Sequence, residues 1–369
     1  MNFNNDERIV LTLDAGGTNF VFSAIKGNKE IVDSEIFPSH GNDLSLCLST
    51  IIEGFQTIYN KLPTRPVAIS FAFPGPADYT NGIIGDLGNL PAFRGGIALG
   101  PMLEEKFKLP VYINNDGDLF AYGEAISGLL PYINEKLKLA GSKKQYKNLL
   151  GITLGTGFGA GIVNNGELYI GDNAAAAEIW LLRNKINPEV FVEEGASIRA
   201  VQRIYFKKTS FKHNKILTPK EIFEIADGKA EGDKIAAIEA FRQLGEVVGD
   251  ALANALTLID GLVVIGGGLS NAHKYFINEI LSQLNGEIYT LEGKPMPRLE
   301  MKAFNLENEK ELESFIHCET KEINIPFTEK KMIYDPTKRL GIGITKLGTS
   351  KAVSIGAYAF ALNKADRKL

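Results

Sequence analysis

The chain opens twice on the same plan. Arg8 to Leu13 is a buried-strand run that enters a tight Asp14-Ala15-Gly16-Gly17 turn. Asn19 to Ile25 reads as the returning strand, and Gly27-Asn28 turns it into a third at Glu30 to Ile36. The second half repeats this order. Asn148 to Leu154 is a strand, Gly155-Thr156-Gly157 a turn, Phe158 to Val163 the return, and Asn164-Asn165-Gly166 leads to a strand near Leu168. Two halves with one opening predict duplicated α/β domains facing one another. A length of 369 residues also exceeds one ordinary core.

Between the openings, helices are expected at Leu44 to Lys61, Gly100 to Phe107 and Asp116 to Ser127, with strands at Pro66 to Phe73 and Val111 to Ile113. Helices should dominate Glu194 to Leu258, before a strand at Leu262 to Ile265. The stretch 292–338, with mixed charge and prolines, reads either as an insertion or as a pair of peripheral strands. A peripheral decoration is favoured over a substrate cover.

Composition narrows the function. A net charge of −4 argues against a nucleic-acid partner, and the lysine runs 143–147 and 207–215 are short enough to be solvated faces. Cys47 and Cys318 stand alone, which excludes a disulfide framework and a cysteine-built zinc site. Met1 to Glu7 lacks the layout of a signal peptide, and no apolar run reaches the ~20 residues of a membrane span. The expectation is a cytoplasmic protein with no membrane partner.

Three glycine clusters follow strands: Asp14-Ala15-Gly16-Gly17-Thr18-Asn19, Gly155-Thr156-Gly157-Phe158-Gly159-Ala160-Gly161, and Gly266-Gly267-Gly268. Glycine lets backbone N–H groups approach phosphate oxygens, and the Thr18 and Asn19 side chains add donors. Asp14 at a strand end suits Mg²⁺, directly or through water. A plain hairpin with an Asx turn explains any one cluster about as well, but three at strand ends are harder to dismiss. None ends in the Gly-Lys-Ser/Thr of a P-loop.

Val111-Tyr112-Ile113-Asn114-Asn115-Asp116 carries a strand into two amides and an acid. Asp116 lies where a helix should begin, so it either caps that helix or serves as a general base towards a hydroxyl, and the two roles are compatible. A helix start would keep it ionised.

Taken together and in this order, the motifs from Asp14 to Ala359 resemble the ROK family of the actin-like ATPase superfamily. The resemblance implies two actin-like (ribonuclease H-like) lobes with ATP and sugar in the cleft between them. The first would run over 1–123 with a C-terminal helix at about 350–369 packed back on it, and the second over 124–349. Asp14, Gly16, Gly17, Thr18, Asn19, Gly155, Thr156 and Gly157 resemble the family's phosphate motifs, and Gly266, Gly267 and Gly268 its adenosine turn. Pro74-Gly75-Pro76, Asn89 to Phe93 and Asn114 to Asp116 are similar to its sugar-side segments. Asp116 is then the base, and Asn89, Asn115, Glu178 and Glu193 contact the sugar, with Glu194 as a register alternative to Glu193. Planar amides and carboxylates suit hydroxyl recognition, although Asn89 also reads as a turn residue and Glu178 as a solvated acid.

The chain departs from the family at Glu178-Ile179-Trp180-Leu181, where members carry Glu-Ile-Gly-His before a zinc motif. Leu181 replaces the histidine, and no structural zinc is expected. Trp180 could pack a sugar face or the core, and Asp116-Gly117-Asp118 replaces Asp-Ala-Asn.

The implied activity is an ATP- and Mg²⁺-dependent sugar kinase acting on a hexose, at the 6-position, with glucose first. N-acetylglucosamine, N-acetylmannosamine, mannose, fructose and allose stay open. A non-catalytic sugar sensor acting through a protein partner is the alternative, against which the retention of Asp14 and Asp116 counts; a repressor is not expected, since no helix-turn-helix has room before Arg8. An actin-like assembly protein would have no use for the sugar-side segments. A homodimer is the family expectation.

Overall fold

A computed structural model describes residues 3–88, 90–317 and 320–367. In chain order the strands are β1 (Val10–Ala15), β2 (Asn19–Lys26), β3 (Lys29–Glu30), β4 (Glu35–Pro38), β5 (Ala68–Ala72), β6 (Ala77–Asp78), β7 (Ile83–Ile84), β8 (Val111–Asn114), β9 (Leu149–Leu154), β10 (Phe158–Asn164), β11 (Glu167–Tyr169), β12 (Leu262–Gly266), β13 (Glu287–Tyr289), β14 (Pro295–Pro297), β15 (Lys302–Asn305), β16 (Lys321–Asn324), β17 (Lys331–Tyr334) and β18 (Arg339–Ile344). The helices are α1 (Leu44–Lys61), α2 (Leu99–Phe107), α3 (Asp116–Ser127), α4 (Leu129–Leu139), α5 (Ile198–Lys208), α6 (Pro219–Ala226), α7 (Lys234–Leu256), α8 (Ile277–Leu284), α9 (Glu309–Ile316) and α10 (Thr349–Asp366). Two compact units result. The first comprises Met1–Pro131, Ala160–Ala177 and Thr345–Leu369, the second Tyr132–Gly159 and Glu178–Ile344.

The first unit is built on a mixed sheet in the order β3-β2-β1-β5-β8. Strands β1 and β2 pair antiparallel, whereas β1–β5 and β5–β8 pair parallel. Period-two alternation sends Leu11 and Leu13 of β1 and Phe20 and Phe22 of β2 into a core with Phe55 of α1, Phe71 and Phe73. The opposite face carries Thr12 and Ser23, whose hydroxyls share a buried 2.7 Å hydrogen bond, and α10 packs over this sheet and against α3. That helix pair crosses backbone to backbone. A Cβ on Gly123 would lie 1.9 Å from Ala352 O, and one on Gly356 1.9 Å from Leu119 O. Strands β10 and β11 form a hairpin whose Glu167 accepts from Asn363 Nδ2 of α10 at 2.6 Å.

Two details differ from expectation. Strand β1 runs two residues further than its apolar stretch, so Asp14 is a strand residue paired with Val21. The third strand expected at Glu30 to Ile36 is instead two short ones at opposite ends of β2, β3 pairing Ile25↔Glu30 and β4 pairing Asn19↔Pro38. The polar Asp33-Ser34 step lies outside both and breaks the alternation a continuous strand needs.

The second unit holds the parallel series β9-β12-β18-β15. Every residue of β12 is buried, as a parallel strand covered on both faces requires. Helices α5, α7 and α8 pack in succession, and α7 meets α8 closely: a Cβ on Gly245 would lie 2.6 Å from Phe276 O. Within 292–338 lie β14, β15, α9 and the β16–β17 hairpin. β16–β17 and β13–β14 are exposed two-stranded hairpins. Among the described residues no helix is long and apolar enough to cross a membrane.

Candidate active site

In the first unit the parallel register sets Asp14, Ala72 and Asn114 in one row across β1, β5 and β8. Asp14 is exposed at its strand end and bonds to Ser350 of α10. Desolvation raises its carboxyl pKa from the ordinary value, and the Ser350 bond works against that rise. Asp14, Ser350 and Lys351 also line a cavity of about 450 Å³ between the β2–β3 edge and α10. Asn114 is 2% exposed, and its Nδ2 has no hydrogen-bond partner.

Asn115, not Asp116, caps α3. Its Oδ1 accepts the Gly117 N–H at 2.7 Å from an extended backbone. Asp116 is therefore the first helical residue, and its Oδ1 accepts the same N–H at 2.9 Å. Its side chain reaches solvent, yet the protein packed around it raises its pKa by desolvation. The backbone N–H groups of Gly117 and Asp116 pull the value back, and the Asp14 charge pushes it up. The net direction is upward, opposite to what the helix start alone would give. An acid of raised basicity that stays open to solvent is suited to accept a proton.

The turn after β1 needs its glycine: a Cβ on Gly16 would lie 2.8 Å from Asn19 O. Ser39 braces this turn, its Oγ donating to Gly17 O at 2.6 Å and its N–H to Thr18 O at 2.9 Å. Gly17, Thr18 and Asn19 are left exposed.

The second unit gathers a separate group. Gly155 N–H is used inside its turn, on Gly157 O at 3.0 Å, and Ile198 N–H donates to Gly155 O at 2.9 Å. Glu193 Oε2 accepts the Phe158 N–H at 2.9 Å, and a Cβ on Gly157 would lie 2.7 Å from that oxygen. Because Gly266 pairs with Thr153 across β12 and β9, the third glycine cluster lies beside the second. Gly267 has φ +82°, and a Cβ there would meet Leu154 O at 2.2 Å. Gly155 and Gly268 differ: a Cβ on either would meet nothing within 4 Å. The fold does not require glycine at those two places, and the backbone there leaves room for an approaching ligand. The backbone fits a phosphate-bearing ligand on that ground.

Of the two register alternatives, Glu193 touches the glycine turn, and Glu194 is held by Arg199 at 2.9 Å and Arg203 at 3.0 Å. Glu178 is exposed and accepts from the Trp180 indole N–H. Leu181 is 57% exposed. Asn89 and Cys318 lie outside the described residues. Among the described residues no three His, Cys, Asp or Glu side chains gather to hold a metal. Mg²⁺ is commonly held by one or two carboxylates plus substrate phosphates, so a lone Asp14 fits it.

Sequence reasoning misses Ser350 and Arg199. Ser350 reaches Asp14 only through the packing of α10, and Arg199 reaches Glu193 (2.7 Å) from the first turn of α5. The one local signal for the former is Gly348, at φ +81°, which starts α10 beside the β1 end.

The sequence model of the ROK family matches residues 10–309. A solved glucokinase from Parabacteroides distasonis ATCC 8503 is 55% identical, with a TM-score of 0.89, covering 98% of this chain and 99% of that one. The N-acetyl-D-glucosamine kinase of Vibrio cholerae is 29% identical over 269 residues, 70% of this chain and 83% of that protein. A ROK glucokinase from Streptomyces griseus, solved with glucose and AMPPNP, shares the fold at 18% identity and a TM-score of 0.59, covering 96% and 99%. The α/β fold is thus the actin-like one of the ROK kinases, and the chain belongs to the ROK family.

Proposed function

We propose that this protein transfers the terminal phosphoryl group of ATP to a hexose hydroxyl, with Asp116 as the general base and glucose the first substrate, at its 6-position. The chain is a sugar kinase, the class to which its relatives and solved neighbours belong. The observation that carries the residue assignment is a pair of acids in the first unit, Asp14 near the end of β1 and Asp116 at the start of α3, desolvation and the charge of the first raising the pKa of the second, and each open to solvent. Asp116 accepts the proton of the attacking hydroxyl, and its raised basicity favours that transfer at neutral pH. Asp14, held by Ser350, is the residue that would hold Mg²⁺, which when bound neutralises phosphate charge. Gly16 to Asn19 and Gly155 to Gly157 bind phosphates, and the open backbone at Gly268 takes the adenosine. Asn115, Glu178 and Glu193 orient the sugar hydroxyls, as does Asn89. Positioning and charge stabilisation suffice for phosphoryl transfer.

A second acceptor, N-acetylglucosamine, is favoured by the 29% identical kinases of that sugar. The test is ADP release from MgATP across hexoses and N-acetylhexosamines, with Asp116→Asn alongside. Stimulation by glucose that is lost in the variant supports the reading. Stimulation by N-acetylglucosamine alone moves the substrate, and a flat panel overturns the kinase assignment in favour of a sugar sensor.

A further inference from the structure

We propose that Trp180 is a positioning residue for the sugar, fixing the carboxylate of Glu178; the proposal rests on the sugar-kinase reading above. The indole Nε1–H donates to Glu178 Oε2, a charge-assisted bond that occupies one carboxylate oxygen and orients the other. A glutamate on an open surface otherwise samples many rotamers, and each must be frozen before it can pair with a hydroxyl. Here the freezing is done in advance.

The brace behind the indole is itself built. Trp180 meets Phe191 edge-on, with ring centroids 5.8 Å apart and planes at 90°. Phe191 is pinned by a bridge between Arg183 and Phe191, and by the Val192 N–H to Leu182 O bond at 2.7 Å. Asn184 closes the far end: it is 3% exposed, and its Oδ1 accepts the Ile186 and Asn187 N–H groups at 3.0 and 3.1 Å. The segment then runs directly into Glu193, so one short hairpin carries both candidate sugar carboxylates. On the other side, Ala177 precedes Glu178 at φ +61°, a left-handed conformation that alanine seldom takes. Strain of that kind collects where a side chain must be aimed.

Trp180 therefore acts through Glu178 and on sugar affinity rather than on the chemical step. Trp180→Phe, which keeps a ring against Phe191 and removes the N–H, raises the sugar KM about tenfold, the worth of one hydrogen bond to a charged group. The ATP KM stays unchanged and kcat changes far less. Trp180→His, which restores a ring N–H, recovers most of the loss. Glu178→Ala raises the sugar KM at least as much, and adding Trp180→Phe to it brings no further loss.

Because Trp180 is the only tryptophan in the chain, its emission gives a readout without mutation: glucose shifts it saturably in the unaltered enzyme, and MgADP alone does not. Failure of Trp180→Phe to move the sugar KM while Glu178→Ala does overturns the positioning role and leaves the kinase reading intact. So does a full additional loss in the double variant, or emission that ignores a bound sugar. A Glu178→Ala enzyme with an unchanged sugar KM overturns the placement of Glu178 and this proposal with it.

Discussion

Glu193 closes the turn between β9 and β10: one carboxylate oxygen accepts the Phe158 N–H at 2.9 Å, and the other meets Arg199 Nη2 at 2.7 Å. The residue that the reading gives to the sugar is thus also the clamp on the second phosphate turn. Phe158 is 1% exposed, so Glu193→Ala strands a buried N–H at a cost of about 1–3 kcal/mol. In a unit of this size that lowers Tm by roughly 3–10 °C. Glu193→Gln keeps an acceptor and loses only a half-exposed ion pair, which contributes little. A thermal melt should place Gln near the unaltered protein and Ala well below it. Equal losses would mean that the charge, not the acceptor, holds the turn.

Asp116→Asn separates chemistry from folding. Asparagine keeps an oxygen for the Gly117 N–H, so the helix start survives, and kcat should fall about 10²–10⁴-fold with the sugar KM little changed. A fall confined to KM would remove Asp116 from the role of base.

The raised pKa of Asp116 has a sign that can be checked twice. The folded protein holds a proton that the unfolded chain releases, so stability declines as pH rises from the unfolded value near 3.9 through the folded one. Asp116→Asn should therefore melt at or above the temperature of the unaltered protein at pH 7, with the gap closing in acid. In the same window kcat/KM should fall with decreasing pH at a midpoint above 3.9, because the base must be ionised. A midpoint at or below 3.9, or a variant that is less stable at neutral pH only, contradicts the raised value.

Two glycines separate what the fold needs from what a ligand needs. Gly267→Ala forces a Cβ to within 2.2 Å of Leu154 O at φ +82°, and should cost several kcal/mol or prevent folding. Gly155→Ala projects its methyl into open space, so Tm should hold while the ATP KM rises. A Gly155→Ala enzyme with unaltered ATP KM would take that turn out of the nucleotide site.

Much of this was legible from local signals. Helices α1 and α3 run over the residues their apolar spacing predicts, and the duplicated openings are present as β1–β2 and β9–β10. Two kinds of feature were not legible. Strand β18 carries Gly341 and Gly343 and gains its place only by pairing with β12 and β15, a non-local choice that no turn signal announces. The exposed hairpins β13–β14 and β16–β17 show no inward alternation, since they cover no core. In the proposed site, the strand-end motifs singled out Asp14 and Asp116 as candidates, but gave the cap to the wrong neighbour. An Asn-Asp pair at a helix start allows either side chain to cap, and only the extended backbone of Asn115 decides it.

That decision gives Asn115 a cap beside its proposed sugar contact, and two substitutions can part the two. Its Oδ1 is committed to the Gly117 N–H, so the amide nitrogen is the group left to face a sugar hydroxyl. Asn115→Ser retains a capping oxygen and removes the amide. Tm should stay within about a degree while the sugar KM rises about tenfold, since serine and asparagine cap comparably and a site that pairs a hydroxyl penalises a missing partner. Asn115→Ala removes both, and should also cost about 1 kcal/mol of stability, or roughly 2–4 °C. The cap also sets where Asp116 lies, so the alanine variant should lose kcat as well as sugar affinity, whereas serine should lose affinity alone. If serine lowers kcat as deeply as alanine, the amide itself aims Asp116, and the division between cap and sugar ligand fails.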